Sequence, residues 1–148
     1  MAEFELNFPE NFMGSMLSCN TEDMVKEMID EASPILVESM KKEMKSVIQH
    51  DGDSDMVNSV IASKAKKAKN GAYISFIGPK GSSKNSYYAD SKKKRSYPVS
   101  NVLKAIWLNY GRKGQSARPF LTKATNSATN RVIEKMQDIY NRKTGENS

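Results

Sequence analysis

The longest stretch of regular apolar spacing lies between residues 21 and 49, and it limits the fold more than any other feature. Apolar side chains recur there with the period of one helix face. They are Met24, Val25, Met28, Ile29, Ala32, Ile35, Leu36, Met40, Met44, Val47 and Ile48. Pro34 interrupts the pattern, so either the helix bends there or Ser33 caps a second helix that begins with the proline. We favour one bent helix, roughly 40 Å long at 1.5 Å per residue.

Two further apolar patterns predict two more helices in the second half of the chain. Residues 99–110 place one apolar face on Val99, Val102, Leu103, Ile106, Trp107 and Tyr110. Residues 119–140 carry a stripe made of Phe120, Leu121, Ala124, Ala128, Val132, Ile133, Met136, Ile139 and Tyr140. Gly111 suits the left-handed residue that ends a helix, and Pro119 suits the first turn of the next. The pattern therefore predicts a helix, a tight polar loop and a helix.

Strand signals lie between the long helix and these two. Residues 59–63 favour a strand, and Asn70 followed by Gly71 is the strongest hairpin signal in the chain. Residues 72–77 are predicted to form the strand after that turn, and a Gly-Pro pair ends it.

The length of 148 residues fits a single domain, which we assign to residues 21–140. Residues 1–20 are predicted to form an N-terminal arm, and residues 141–148 a flexible polar tail. Within the domain, residues 80–98 lack periodicity and are rich in Ser, Lys and Tyr. We predict that they form a mobile basic loop, because so long an irregular segment is usually functional or disordered.

The arm has a pattern of its own. Phe4, Leu6 and Phe8 alternate with polar residues, which is the period of a short strand. Pro9 ends this strand or places it at the edge of a sheet. Such an arm frays in a monomer, whereas in an assembly it could add to a neighbour's sheet.

The charge balance points to acidic partners. The net charge is +6, and the basic loop holds the run Lys92, Lys93, Lys94 and Arg95. A basic balance fits nucleic acid, an anionic surface or an acidic protein face. We assign the run to an assembly loop, with a solvated loop or single-stranded nucleic-acid binding as the alternatives.

Catalytic, metal and membrane functions find little support in the sequence. The only histidine is His50, and no spacing signals a nucleophile paired with a base. Carboxylates at positions 51, 53 and 55 resemble the start of a calcium loop, but Met56 stands where that loop needs glycine. The lone Cys19 cannot form an intramolecular disulfide. No apolar run approaches the roughly 20 residues that cross a membrane. We expect no enzyme activity, no cofactor and no metal.

One segment also resembles a known family. Tyr110 and Gly111, a short polar loop, and then Ala117, Arg118, Pro119, Phe120 and Leu121 follow the helix that holds Trp107. This segment is similar to the signature of neck or tail-completion proteins of tailed bacteriophages, minor virion proteins that join head to tail. The family often has Glu where this chain has Asn109, and Pro where it has Ser116. The long first helix with its central proline, the first-strand motif at residues 55–60 and the Asn-Gly hairpin extend the resemblance.

The resemblance implies an α+β fold, in which a small antiparallel sheet with a hairpin packs against a long N-terminal and a C-terminal helix, with a short middle helix. It implies a non-enzymatic structural subunit of a cyclic homo-oligomer, expected to be a hexamer. Its partners would be head-completion or connector proteins and tail terminator or tail-tube proteins, with DNA passing through the lumen. The location would be the virion neck, assembled in the host cytoplasm. The alternative, from charge alone, is a small basic nucleic-acid-binding protein.

Two residues of the signature have separate expected roles. Phe120 is predicted to lock the last helix against the Trp107 face. Arg118 has two open readings, since its fork of donors could pair with a carboxylate across a subunit boundary or satisfy loop carbonyls in its own subunit.

Overall fold

The computed structural model describes residues 21–49, 54–90 and 95–145. The first part of the domain runs through α1 (Thr21–Val47), α2 (Ser54–Asn58), β1 (Val60–Ala62), β2 (Lys66–Lys67) and β3 (Tyr73–Ile74). The second part runs through β4 (Ile77–Pro79), β5 (Ser82–Asp90), β6 (Arg95–Ser100), α3 (Asn101–Tyr110) and α4 (Leu121–Thr144). Several predictions concern residues outside the described ranges, namely the arm at 1–20 with Cys19, His50 with the acidic positions 51 and 53, and Lys92, Lys93 and Lys94.

The two long helices pack against each other and run in opposite directions. Glu27 near the start of α1 pairs with Lys143 at the end of α4, while Ser39 donates a hydrogen bond to the Ala124 carbonyl near the start of α4. Their shared core contains Met24, Met28, Ala32, Leu36, Ala128, Val132, Met136, Ile139 and Tyr140. The α+β architecture with a long N-terminal and a C-terminal helix is thus as predicted.

The prediction of a single helix through Pro34 is confirmed. The proline lies inside α1 on an exposed position, where its ring can face solvent. It cannot donate to the carbonyl one turn earlier. Neighbouring Ser33 is buried, and its hydroxyl donates a hydrogen bond to the Ile29 carbonyl.

A second core lies where the C-terminal half of α1 meets the small elements. Its buried residues are Met40, Met44, Met56, Val57, Val60, Ala105, Leu108, Phe120 and Ala124. Among the described residues every methionine is buried, which agrees with a role in filling an irregular core.

The strands form three antiparallel pairs. β1 pairs with β4 in the register Val60 to Pro79, and β2 pairs with β3 around the predicted Asn70 and Gly71 turn. Gly71 has φ +88°, a backbone conformation that favours glycine. The predicted strand at 72–77 is split, since its last residue instead begins β4.

Three predicted segments differ from the structure. Residues 141–144, assigned to the flexible tail, form the last turn of α4. Residues 55–60, assigned to a first strand, mostly form the short helix α2, and β1 begins only at Val60. Residues 80–98, predicted to be an irregular loop, mostly belong to β5 and β6, which pair from Asp90 with Arg95 to Ser82 with Ser100. The register between these strands is irregular between Ser82 and Tyr87.

Candidate assembly surface

The signature segment forms a tight corner between α3 and α4. The Gly111 N–H ends α3 by donating to the Trp107 carbonyl at 2.9 Å. Gly111 has φ 80° and ψ 173°, and a Cβ built on it would lie 2.9 Å from the Ala117 nitrogen. Only glycine fits this backbone and this close approach without strain. The corner therefore depends on the glycine that the sequence singled out.

The loop between the helices is closed by its own bonds. Arg112 and Gln115 exchange backbone hydrogen bonds of 3.0 and 2.8 Å. The Arg112 guanidinium also lies 4.1 Å from the centre of the Trp107 ring, a cation–π contact. Trp107 is half-buried and packs under this loop.

Arg118 fastens the corner to the end of the longest helix. Its backbone N–H donates to the Leu108 carbonyl at 2.7 Å. Its guanidinium donates to the Val47 carbonyl at 3.3 Å and to Gln49 Oε1 at 2.6 Å. The last carbonyls of a helix form the negative end of its dipole, so a positive guanidinium is favourable beside the Val47 carbonyl. The structure thus shows the within-subunit contact that the sequence left as one of two readings.

Asn109 caps α4 from a different helix. Its Oδ1 accepts from the Phe120 N–H at 3.0 Å and the Leu121 N–H at 3.1 Å. Both N–H groups belong to the first turn of α4, which has no cap from its own N-terminal residue. We did not predict this role, because a cap reached across the corner leaves no local spacing signal. A carboxylate at this position would offer the same acceptors.

Phe120 is a core anchor, but its neighbours differ from the prediction. It is 1% exposed and belongs to the core cluster of Ala105 and Leu108. Trp107 lies outside that cluster and under the Arg112 loop. Phe120 therefore packs in one core with Ala105 and Leu108 of α3, and Trp107 is not among the residues of that core, while the burial of Phe120 was correctly expected.

The predicted apolar face of α3, assigned to residues 99–110, is buried only in part, since Val99 is buried and Leu103 and Trp107 are half-buried. Val102, Ile106 and Tyr110 are 37%, 38% and 70% exposed. The buried positions are instead Asn101, Ala105, Leu108 and Asn109. Apolar periodicity assumes that polar residues face water, and here Asn101 and Asn109 are held inside by hydrogen bonds to the backbone, such as the 2.9 Å bond from Asn101 to the Lys80 carbonyl.

These exposed residues form one wall of an apolar groove. The groove has a volume of about 360 Å³ and reaches down to Met40 and Phe120 in the core. The opposite wall comes from β1, β4 and the residue before β4, and it contains Ile61, Phe76, Ile77 and Pro79. Ile61 is 46% exposed, and Leu121 of α4 and Lys80 also line the groove. Contiguous exposed apolar surface of this kind marks an interaction site.

The ion pairs lie elsewhere, on the helix surfaces. Glu27 pairs with Arg142 at 2.9 Å and with Lys143 at 2.7 Å, and the Lys143 ammonium holds the pKa of the Glu27 carboxyl below its ordinary value. A second cluster joins Glu22 to Lys67 at 2.6 Å, and this hydrogen bond lowers the pKa of Glu22 and raises that of Lys67. These are solvent-exposed pairs that fasten α1 to its neighbours.

The described residues contain no candidate metal site. Over residues 21–49, 54–90 and 95–145, no three His, Cys, Asp or Glu side chains are grouped so that they could hold a metal ion. No helix in the described part of the chain is long and apolar enough to cross a membrane. Of the predicted basic run, only the backbone of Arg95 is described, where it begins β6.

In comparisons with known proteins, no family model matches the chain, and neither a curated protein nor a solved structure matches it.

Proposed function

We propose that this chain is a non-enzymatic structural subunit of a bacteriophage neck or tail-completion ring, which joins the head connector to the tail. The observation that carries the proposal is the exposed apolar ridge of Val102, Ile106 and Tyr110 beside the signature corner. Removing apolar surface from water is favourable, so a partner that covers this ridge gains binding free energy.

The corner itself supports a scaffold role for the signature. Three features of the corner hold α3 against α4 and α1. They are the tight backbone at Gly111, the cap from Asn109 and the guanidinium bonds of Arg118. These contacts hold the apolar ridge in a fixed position, and a rigid surface loses less entropy when a partner binds. The signature residues therefore build the support of the surface, and the ridge beside them supplies the contact.

In a ring of identical subunits, each subunit contacts its two neighbours through two different surfaces. The contacts run head to tail, and a rotation relates each one to the next. The groove is one candidate surface, and the paired strands β5 and β6 offer a second region away from the two-helix core. In this proposal the subunits form a cyclic homo-oligomer, expected to be a hexamer. The rings above and below are head-completion or connector proteins and tail terminator or tail-tube proteins, with DNA passing through the lumen. Assembly takes place in the cytoplasm of the bacterial host, and the mature location is the virion neck.

The proposal is tested with a phage in which the gene for this chain has been inactivated. We expect electron microscopy to show filled heads and separate tails, which a plasmid copy of the chain restores to joined particles. Normal yields of joined, infectious particles without the chain would refute the proposal.

Two substitutions on the plasmid copy make the test specific to the groove. Ile106→Asp places a charge on the ridge, and Ile133→Asp places one on α4 at a side chain of similar exposure, 48% against 38%. We expect Ile106→Asp to leave heads and tails unjoined and Ile133→Asp to support joining. Equal joining by both variants would remove the groove from the proposed interface.

The nucleic-acid alternative has its own readout. Replacing Lys92, Lys93 and Lys94 with Ser should change DNA affinity only modestly if the basic residues serve protein neighbours. Each phosphate contact contributes about −0.9 to the slope of log affinity against log salt. If the native chain shows a slope equivalent to several phosphate contacts, and the triple substitution removes that slope, the result would favour a nucleic-acid-binding protein instead.

A further inference from the structure

The apolar ridge of α3 has a regular spacing that suits an extended segment. Val102, Ile106 and Tyr110 follow each other at four-residue steps, so their positions along the helix axis are about 6 Å apart. Together with Ile61 across the groove, they leave a narrow apolar cleft of about 360 Å³. A cleft of that size is at the small end of ligand pockets, and it can take a few side chains but no folded domain.

The first 20 residues of the chain contain a segment with matching spacing. Phe4, Leu6 and Phe8 alternate with Glu3, Glu5 and Asn7. In an extended strand, alternate side chains point to the same side and lie about 6.6–6.8 Å apart. Three apolar side chains at that interval can follow three apolar positions on the ridge, while the acidic ones point away. We infer that the groove binds the segment of residues 3–8 from a copy of this chain.

Charge complementarity supports the same occupant. Residues 1–20 contain three Glu and no Lys, Arg or Asp, so the remainder of the chain carries a net charge of +9. The groove has Lys80 in its lining, and the Lys66 ammonium lies 5.0 Å from the centre of the Phe76 ring on the opposite wall. A segment that carries Glu3 and Glu5 is attracted by this positive charge near the groove, in addition to the burial of its apolar side chains.

The chain is long enough for this contact. The groove reaches Met40, 19 residues along α1 from Thr21, a distance of about 29 Å at the helix rise. The stretch from Phe8 to Thr21 can span roughly 43–47 Å when extended. The segment can therefore reach the groove of its own subunit or that of a neighbour. The inference goes beyond the proposed function, because the contact needs no protein other than this chain.

The first experiment measures whether the segment covers the groove. In the full-length chain with Cys19→Ser, we would compare maleimide labelling of Ile106→Cys with and without the triple change Phe4→Ser, Leu6→Ser and Phe8→Ser. A groove occupied about nine-tenths of the time protects the thiol about tenfold. We therefore expect labelling to be about tenfold slower with the native segment. Equal rates would overturn the inference.

Two controls make the labelling result specific. Ile133→Cys on α4, also a half-exposed isoleucine, should label at the same rate with either N-terminal segment. A rate that changes there as well would indicate a general change in the fold and would count against the inference. Protection of Ile106→Cys that appears only after tail-tube subunits are added would assign the groove to a different partner and overturn it.

The second experiment tests the register by disulfide cross-linking of full-length chains that lack Cys19. We expect Leu6→Cys to cross-link with Ile106→Cys under mild oxidation, and Glu5→Cys, on the other side of the strand, to cross-link far more slowly. A cross-linked monomer on a non-reducing gel means that the segment binds its own subunit, and a ladder of oligomers means that it binds a neighbour. Both results support the inference, whereas equal or absent cross-linking by the two variants refutes it.

Discussion

The Arg118 guanidinium donates a hydrogen bond to the Val47 carbonyl, the last residue of α1, at 3.3 Å. Its second bond, to Gln49 Oε1 at 2.6 Å, is made just beyond the helix. We expect Arg118→Ala to lower the free energy of unfolding by about 1.5–3 kcal/mol, the value of hydrogen bonds to charged groups. At this chain length that is a fall in Tm of roughly 3–10 °C, measurable by thermal denaturation.

Two variants in the same loop serve as controls for Arg118. Lys113→Ala removes an exposed charge and should leave the free energy of unfolding within about 0.5 kcal/mol of the native value. Arg118→Lys keeps the charge but loses the fork of donors, so its free energy of unfolding should lie between those of Arg118→Ala and Lys113→Ala. If Arg118→Ala leaves the stability of the monomer unchanged, the result would favour the alternative in which Arg118 pairs across a subunit boundary.

Phe120 should contribute more to stability than any other signature side chain. It is 1% exposed, and its truncation to Ala typically costs about 3–5 kcal/mol through lost burial and the cavity left behind. Urea denaturation of Phe120→Ala should therefore give a strongly lowered midpoint. Tyr110→Ala is the control, because Tyr110 is 70% exposed and should cost less than about 0.5 kcal/mol in the isolated chain. Equal losses from the two would contradict the burial of Phe120.

Local patterns predicted the elements well, and the long helices best. The apolar stripes of α1 and α4 largely matched the observed core, since each buries many apolar residues at one period, but Ile133 of the predicted α4 stripe is 48% exposed. The hairpin at Asn70 and Gly71 was also predicted, because turn chemistry is local. The strands β5 and β6 were missed, since pairing between them depends on a partner strand and on an irregular register.

The site was predicted only in part, for a different physical reason. The sequence identified Gly111, Arg118 and Phe120, but it predicted the buried face of α3 only in part. Two asparagines are inside, where backbone groups of other segments bond the Asn101 amide nitrogen and Asn109 Oδ1, while Asn101 Oδ1 has no partner among the described residues. Such compensation depends on tertiary structure, so the groove that results from it could not be anticipated from apolar spacing.

Asn109 should be required for the start of α4. In Asn109→Ala the N–H groups of Phe120 and Leu121 lose their acceptor, and a buried unsatisfied donor costs about 1–3 kcal/mol. Asn109→Asp retains an oxygen that can accept both hydrogen bonds, and it adds a negative charge at the positive N-terminal end of α4. We expect hydrogen exchange at Phe120 and Leu121 to accelerate in the Ala variant and to stay near native in the Asp variant. Unchanged exchange in the Ala variant would contradict the capping role.

The pairing of Glu27 with Lys143 should make stability depend on pH. The hydrogen bond from the ammonium lowers the pKa of Glu27 below its ordinary value of 4.5, so the folded state favours the ionised carboxylate. This contribution is present above pH 4.5 and is lost as the pH falls through the lowered pKa. The difference in Tm between the native chain and Glu27→Gln should therefore shrink as the pH is lowered from about 7 to about 3.

Salt and a second glutamate provide the controls for this pH effect. Both Glu27 and Lys143 are partly exposed, so about 1 M salt should reduce the difference at neutral pH. Glu134→Gln, on the exposed face of α4, should show a smaller difference at every pH. A difference that grows on acidification would have the wrong sign for this pair.

Gly111 and Gly114 provide a matched pair for testing the corner. Both have a φ near 80°, but a Cβ on Gly114 meets open space, whereas one on Gly111 would lie 2.9 Å from the Ala117 nitrogen and 3.0 Å from the Gln115 carbonyl oxygen. Gly114→Ala carries only the cost of a left-handed side-chain residue, about 1–2 kcal/mol. Gly111→Ala carries that strain and must also push the backbone after the loop away from α3, so its loss should exceed that of Gly114→Ala by at least about 1 kcal/mol. Chemical denaturation of the two variants measures this difference directly, and equal losses would show that the close approach at Gly111 is not needed to hold the corner.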